Sequence, residues 1–210
     1  MNQENNGSLP VREKILAVGQ SLMAEKGIKE TTLADIARVA GISKGTLFYY
    51  YASKNDLIYD ILDRHMFSIA HFSKEHLLQD AGQLKPEEVL RIRLEQLTAN
   101  LDINRLNFYL LQEGITGNKM INAKFAERYH NWRKSIAEDV AKIFFISDQQ
   151  RLDTLGTIIL AVIDGLTLQK LMEPESVDME RVAAQLADML QAQKKWETLT
   201  GLFADMLEKP

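Results

Sequence analysis

Four consecutive aromatic residues between two lysines are the part of this 210-residue sequence best suited to binding chemistry. Phe48 and the tyrosines at 49–51 follow Lys44 and precede Lys54, and residues 36–55 include no acidic side chain. Lysine ammonium groups bind guanine acceptors and phosphate oxygens, and aromatic side chains add apolar and hydroxyl contacts. Four aromatics in a row also suit a β-strand or an aggregating segment. These residue types predict a nucleic-acid contact, with an aromatic edge strand as the alternative.

The charge of the whole chain does not favour general attraction to nucleic acid. Its formal net charge is −4, which argues against non-specific binding by the molecule as a whole. Residues 1–65 contain equal numbers of basic and acidic side chains, so the remainder carries all of the net negative charge. A small positive window therefore lies inside a neutral segment, around the aromatic run.

The composition excludes several classes of function. The chain contains no cysteine, which rules out disulfides, thiolate metal sites and a cysteine nucleophile. The first ten residues are polar and do not form a signal-peptide pattern. The most apolar stretch, 155–168, is interrupted by Asp164 and is too short to span a bilayer. We expect a soluble, cytoplasmic protein with no membrane partner.

Helical periodicity extends over nearly the whole chain, and no alternating strand pattern stands out. Thr32–Asp35 and Ser53–Asp56 are capping-box candidates that open two helices, and Ser43 can cap a third between them. A short helix over 33–40, a turn at Gly41 and a second short helix form a helix-turn-helix. The aromatic run lies on the second of these helices.

That second helix divides its aromatic residues between two faces. At 3.6 residues per turn, Phe48 and Tyr49 lie on the outward face with Lys44, and the tyrosines at 50–51 lie toward the core. Gly45, also on the outward face, permits close approach of the backbone to DNA. The outward face is predicted to enter a DNA groove. A helix-turn-helix used only for packing is the alternative.

The spacing of the histidines does not favour a metal site. His65, His71 and His76 are separated by six and five residues, whereas two ligands on one helix face need a spacing of three or four. We expect neither a metal nor a cofactor.

The stretch TTLADIARVAGISKGTLFYYYASKNDLIYDIL, residues 31–62, resembles the DNA-binding domain of TetR-family transcriptional regulators. The positions that match the family pattern in register are Thr32, Ile36, Ala37, Ala40, Gly41, Ile42, Ser43, Gly45, Thr46, Leu47, Tyr50, Ser53, Lys54 and Leu57. Phe48 and Tyr51 depart from the pattern, which usually has tyrosine and phenylalanine there. A weaker likeness appears at 161–174, which is similar to the penultimate helix of many such regulators.

The resemblance implies an all-α fold with an N-terminal three-helix DNA-binding domain and a larger C-terminal helical domain for ligand binding and dimerisation. We divide the chain into a flexible N-terminus at 1–9, the helix-turn-helix domain at 10–56 and the effector-binding and dimerisation domain at 57–210. The implied function is ligand-responsive regulation, most simply repression. The homodimer would bind a near-palindromic double-stranded DNA operator and leave it when a small, partly apolar effector binds.

Two other functions stay open. An activator is compatible with the same residues. An all-α small-molecule binding protein or enzyme with a vestigial helix-turn-helix is the alternative from another class, although no nucleophile–base pair or phosphate-binding glycine loop supports an enzyme.

Three sets of side chains are assigned to these contacts. The residues predicted to contact DNA are Thr32, Ser43, Lys44, Gly45, Thr46, Phe48, Tyr49, Tyr50 and Lys54. The candidates for the effector pocket are Phe72, Phe108, Tyr109, Met120, Phe125, Tyr129 and Trp132. The candidates for the dimer interface are Ile159, Ile163, Leu166, Leu186 and Leu190. Lys54 and Thr32 are expected to bind phosphate at helix starts, and packing within a single chain is the alternative for the last two sets.

Overall fold

The structure is a computed structural model that describes residues 10–72 and 84–192, and side chains in this part except those at 67–72. All regular secondary structure in the described residues is helical. The all-α prediction is therefore confirmed. The N-terminal segment at 1–9 lies outside the described residues.

Three short-range signals set the first helices. Helix α1 (Val11–Lys26) ends at Gly27, whose φ of 90° is a conformation that favours glycine. Helix α2 (Leu33–Val39) begins at the capping box that Thr32 forms with residue 35. Helix α3 (Lys44–Tyr50) begins at the Ser43 cap. The buried side chains that join these helices to the one after them include Ile15, Leu16, Leu22, Met23, Ile36, Ala37, Ala40, Leu47, Leu57 and Ile58.

Longer helices follow. They are α4 (Lys54–Phe72), α5 (Pro86–Thr98), α6 (Leu101–Ile115), α7 (Lys119–Phe144) and α8 (Gln149–Met172), and α9 covers 179–192 of the described residues. Proline at the first position of α5 suits a helix start because that N–H has no helical partner. Asp148 caps α8 by accepting a hydrogen bond from the Arg151 N–H at 2.8 Å.

The chain divides into two compact units. The first comprises 1–68 with 102–123, and the second comprises 69–101 with 124–210. The predicted DNA-binding domain at 10–56 lies entirely within the first unit. The predicted domain boundary at residue 57 stays a prediction.

The core of the second unit is built from helices α5, α7, α8 and α9. Its buried residues are Leu90, Leu94, Ala137, Val140, Phe144, Ile146, Leu152, Ile159, Leu166, Met179, Ala183, Ala187 and Leu190. Gly156 of α8 lies against the backbone of α7, because a Cβ there would be 2.4 Å from the Arg133 carbonyl oxygen. The absence of a side chain at Gly156 sets how closely these two helices approach.

Helix α8 is also long and apolar enough, by length and composition alone, to cross a membrane, with a mean hydropathy of 1.5 over its best window. The sequence analysis judged residues 155–168 too short to span a bilayer, but the helix that contains them is 24 residues long. The buried helix of a soluble core meets the same criterion, and several side chains of α8 belong to the core of the second unit. This property of α8 is therefore weak evidence for a membrane span.

Candidate functional site

The turn between α2 and α3 fixes the two helices at a short separation. Gly41 has a φ of 63°, and the Ile42 N–H donates to the Ala37 carbonyl at 3.0 Å. Leu47 of α3 and Ile36 of α2 are both fully buried. These contacts form the predicted helix-turn-helix and leave the opposite face of α3 uncovered by the residues that the structure describes.

The aromatic run presents three side chains to solvent. Tyr49 is 85% exposed, Phe48 53% and Tyr50 40%, and the rings of Tyr49 and Tyr50 meet edge to face with centroids 5.4 Å apart. The outward prediction for Phe48 and Tyr49 agrees with this arrangement. The inward prediction for Tyr50 is wrong, because Tyr50 packs on the neighbouring ring rather than in the core. Its exposure is compatible with its assignment to the DNA contact.

The start of α3 carries polar groups and no acid. The Ser43 hydroxyl oxygen accepts from the Thr46 N–H at 2.9 Å, and the two hydroxyl oxygens are 2.8 Å apart. Their mutual hydrogen bond uses one of the two hydroxyl hydrogens, so the other is available to an external acceptor. Lys44 and Gly45 are exposed beside them. This helix start combines a cation, a free hydroxyl donor and open backbone.

Thr32, also predicted to bind phosphate, has a different partner. Its hydroxyl donates to the Asp35 carboxylate at 2.7 Å and accepts from the Asp35 N–H at 3.1 Å. The bonds from Thr32 hold the pKa of the Asp35 carboxyl below its ordinary value, with a smaller effect from Arg38. A phosphate would have to replace an internal carboxylate at this position, so Thr32 in this arrangement does not offer the predicted donor.

Lys54 is the clearest departure from the prediction. Its ammonium donates to the backbone carbonyls of Ile28 at 2.6 Å, Thr31 at 3.1 Å and Lys29 at 3.3 Å. An ammonium has three hydrogens, and three carbonyls occupy them here. The predicted phosphate anchor is therefore bound to the loop before α2.

Tyr51 stands where a phenylalanine is usual, and its hydroxyl is satisfied. It donates to the Asp60 carboxylate at 2.5 Å, and Arg12 forms a two-pronged ion pair with the same carboxylate at 2.6–3.1 Å. Burial, followed by the bond to Asp60, raises the pKa of Tyr51. The network ties the C-terminal end of α3 to both α1 and α4, a connection that sequence spacing did not indicate.

The aromatic effector candidates on α7 form one cluster. Ring centroids of Phe125 and Tyr129 are 6.5 Å apart, and those of Tyr129 and Trp132 are 5.5 Å apart. The Arg128 guanidinium lies 5.3 Å from the Phe125 ring centroid and 5.7 Å from that of Trp132. This arrangement places a cation and three rings on one side of α7.

A polar pair that the sequence did not indicate adjoins this cluster. The Tyr129 hydroxyl donates to the Asp164 carboxylate of α8 at 2.8 Å. Burial raises the pKa values of both groups, and the hydrogen bond from Tyr129 partly offsets the rise at Asp164. Asp164, taken from the sequence only as an interruption of an apolar stretch, is therefore the half-buried polar partner of the Tyr129 hydroxyl.

The other described effector candidates, Phe108, Tyr109 and Met120, belong to the first unit. Tyr109 lines a pocket of about 470 Å³ within the first unit, between α1, the loop after it and α6. Phe108 is half-buried on the same helix, Met120 is 56% exposed, and the side chain of Phe72 lies outside the described residues. Three of the seven candidates are thus brought together.

Three of the predicted dimer contacts belong to the core of their own chain. Ile159, Leu166 and Leu190 are 4%, 7% and 8% exposed, so the intrachain alternative describes them and their assignment to an interface is corrected. Ile163 and Leu186 are half-buried at the edge of the same core. The large apolar side chains that are exposed on the described parts of α8 and α9 are instead Ile158, Leu168, Met172 and Met189.

Two family models match the chain. The model for bacterial regulatory proteins of the tetR family matches residues 15–61, and the C-terminal model for BetI-type transcriptional repressors matches 115–194. The HTH-type transcriptional repressor BepR of Brucella suis is 27% identical over 44% of this chain and 42% of its own length. The chain therefore spans less than half of this curated relative.

Solved structures share the fold over most of the chain. A transcriptional regulator of Saccharomonospora viridis, crystallised with choline, has a TM-score of 0.63 at 22% identity and covers 86% of this chain and 95% of its own. Thermus thermophilus FadR, a TetR-family repressor crystallised with lauroyl-CoA, has a TM-score of 0.62 at 23% identity and covers 86% and 93%. At these identities the likeness concerns the fold alone.

Proposed function

Because the chain belongs to the TetR family of bacterial transcriptional regulators, we propose that it is a ligand-responsive repressor that binds double-stranded DNA through α3. The single observation that carries the proposal is the exposed face of α3, which joins an acid-free helix start to Lys44 and two outward aromatic rings. We place the protein in the cytoplasm, without a membrane partner, and assign it no catalytic step.

The proposed recognition follows from the chemistry of that face. Lys44 reaches guanine acceptors or phosphate, and the free hydroxyl hydrogen of the Ser43–Thr46 pair donates to a base edge or a phosphate. Phe48 contacts thymine methyl groups, and the Tyr49 hydroxyl donates to the phosphate backbone. A Cβ on Gly45 would meet only the Ser43 hydroxyl oxygen, at 3.7 Å. Gly45 is thus not required by packing, which supports a role in close approach to DNA.

We further propose that two copies act together. Ile158, Leu168, Met172 and Met189 leave apolar surface exposed on α8 and α9, and a second copy of the chain would cover it. A symmetric dimer presents two α3 helices to half-sites about 34–36 Å apart. The operator would then be nearly palindromic.

The proposed effector site is the α7 cluster with the Tyr129–Asp164 pair. Its rings supply apolar contacts, and the carboxylate supplies a polar anchor, as small-molecule sites commonly require. The two structural relatives were crystallised with chemically different ligands, choline and lauroyl-CoA, so they support a small-molecule site without indicating its ligand here. Release from DNA requires the effector to bind the DNA-free state more tightly.

Selection of bound duplexes from a random DNA pool tests the proposal. The purified protein is expected to enrich one two-fold symmetric sequence. Enrichment of an unsymmetric sequence would contradict the dimer, and absence of any enrichment would contradict DNA recognition itself. Sedimentation of the protein with and without the enriched duplex gives the stoichiometry independently.

The effector site is tested with the enriched duplex and a panel of small metabolites. A metabolite that releases the parent protein is expected to lose at least tenfold in potency against Asp164→Asn, because the carboxylate would be its polar anchor. Asp153→Asn, an exposed change on the same helix, is the matched control. Equal potency against parent and both variants would remove Asp164 from the site.

A further inference from the structure

Lys54 lies in the DNA-binding part of the chain, yet its contacts point inward. Resting on the proposed DNA-binding function, we infer that Lys54 is a positioning residue, which holds the loop at 28–31 so that α2 begins in the right place, and is not a phosphate ligand. The role depends on where its three hydrogens go and on what the loop connects.

Three backbone carbonyl oxygens surround the Lys54 ammonium within hydrogen-bonding distance. Carbonyl oxygens of Ile28, Thr31 and Lys29 lie at 2.6, 3.1 and 3.3 Å, and the side chain is half-buried. Three acceptors for three donors complete the hydrogen-bonding capacity of a lysine. Hydrogen bonds from a charged donor are stronger than neutral ones, so these contacts hold α4 and the loop together.

The loop is fixed from its other side as well. The fully buried Thr31 hydroxyl shares its hydrogen between the carbonyls of Gly27 at 2.8 Å and Leu22 at 3.1 Å, at the end of α1. The next residue, Thr32, is the cap of α2. Lys54 therefore ties α4 to the loop that connects α1 with the start of α2. Helix α2 in turn packs directly against α3.

Transfer of the ammonium to a phosphate would have two costs. It would leave three carbonyls without their cation, two of them in part-buried bonds. The Ser53 hydroxyl also accepts from the N–H of residue 56 at 3.1 Å and donates to the Asp56 carboxylate at 2.7 Å, so an anion already occupies the start of α4. Both facts favour the inward role of Lys54.

Two substitutions separate the roles. Lys54→Arg keeps the charge and is a good phosphate ligand, but a planar guanidinium cannot converge on three carbonyls as an ammonium does. Lys54→Met removes the charge and keeps the length of the side chain. Lys29→Met is the matched control, because it removes a lysine from the same loop and keeps the Lys29 carbonyl that Lys54 contacts.

The first measurement needs no DNA. Amide hydrogen exchange at 28–35 is expected to quicken by about tenfold in both Lys54 variants and to stay at the parent rate in Lys29→Met. Unchanged exchange in Lys54→Arg would overturn the inference. This readout remains decisive if the parent proves unable to bind DNA, so failure of the proposed function and failure of this inference are distinguishable.

The second measurement is operator affinity against salt concentration. Both Lys54 variants are expected to bind about tenfold more weakly than the parent, with the same slope of log affinity against log salt. A phosphate ligand gives another pattern, in which Lys54→Arg binds like the parent and Lys54→Met lowers the slope by about one. That pattern would overturn the inference. Should Lys54→Met not fold, Lys54→Arg alone separates the two outcomes.

Discussion

Two consecutive helices begin with the same two residues and use them differently. Helix α3 starts at Ser43-Lys44-Gly45-Thr46, and α4 starts at Ser53-Lys54-Asn55-Asp56. In both, the serine caps the helix by accepting from the N–H three residues on. One lysine is exposed, whereas the other is half-buried and bound to three carbonyls.

The third helical residue distinguishes the two starts electrostatically. Asp56 places a carboxylate against the positive end of the α4 dipole, which stabilises that helix internally. Thr46 occupies the corresponding position of α3, whose first turn contains no acid. The same local motif is thus completed within the chain in α4, whereas in α3 it belongs to the face that we propose to bind DNA.

Thr46→Asp should have the largest effect on DNA binding, because it gives the start of α3 the acid that the start of α4 has. We expect operator affinity to fall by about 100-fold, since a carboxylate would face the phosphate backbone at close range. Stability to urea should be kept or slightly raised by the completed cap. Fluorescence anisotropy with a labelled operator and urea titration measure the two effects. A variant that binds like the parent would show that α3 does not face DNA.

Lys44→Ala removes the exposed lysine of α3 and leaves the carbonyl-bound lysine of α4 in place. We expect binding about 30-fold weaker, a salt slope smaller by about one, and a reduced preference for operator over mutated sites. Titration of operator and scrambled duplexes at several salt concentrations measures all three. Equal weakening on both duplexes would assign Lys44 to phosphate alone.

Gly45→Ala tests whether backbone access matters at the start of α3. The added methyl group fits the free protein and should raise stability by up to about 1 kcal/mol, because alanine favours the helix. Operator binding should nevertheless weaken about tenfold if DNA approaches this backbone closely. Asn55→Ala, the corresponding change in α4, is the control and should change affinity by less than threefold.

Tyr51→Phe should change DNA binding least, because its hydroxyl points to Asp60 rather than outward. We expect a loss of about 1–2 kcal/mol in stability from the missing bond to a charged acceptor, with operator affinity within about threefold of the parent. Tyr49→Phe, at an exposed ring, should leave stability unchanged. A large affinity loss with parent stability would contradict the structural role of Tyr51.

The same substitution has a pH consequence. Burial raises the pKa of Tyr51 above its ordinary value of 10.0, so the folded protein keeps a proton that the unfolded chain releases in alkaline solution. This contribution to stability is present below pH 10 and is lost as the pH rises further. Urea titrations between pH 8 and 11 should therefore show a shallower decline for Tyr51→Phe than for the parent.

Local sequence predicted the helix-turn-helix well, because its causes are local. A capping side chain that bonds to the N–H three residues later marks the start of each helix, and a glycine marks the turn between them. These local signals suffice to place α2 and α3. The contacts that the sequence did not predict connect distant positions. Lys54 binds carbonyls 23–26 residues away, and Arg12 pairs with Asp60 over 48 residues. Helical spacing carries no information about such pairs.

The proposed effector site also combines a part that local sequence predicts with a part that depends on tertiary packing. The stripe of Phe125, Tyr129 and Trp132 follows from spacing along one helix, and its members lie together. Asp164 is on another helix, and only tertiary packing brings it to Tyr129. The dimer candidates illustrate the converse, because periodicity identifies an apolar face without distinguishing the side that the chain buries from the side left exposed.

The close approach at Gly156 affects how genetic screens of this protein would be interpreted. A Cβ at this position would lie 2.4 Å from the Arg133 carbonyl oxygen, so even alanine would push α7 and α8 apart. Loss-of-repression alleles selected in cells should therefore include Gly156 substitutions. Such alleles would resemble losses of DNA or effector contact, and measurement of their folded fraction would identify them as packing defects.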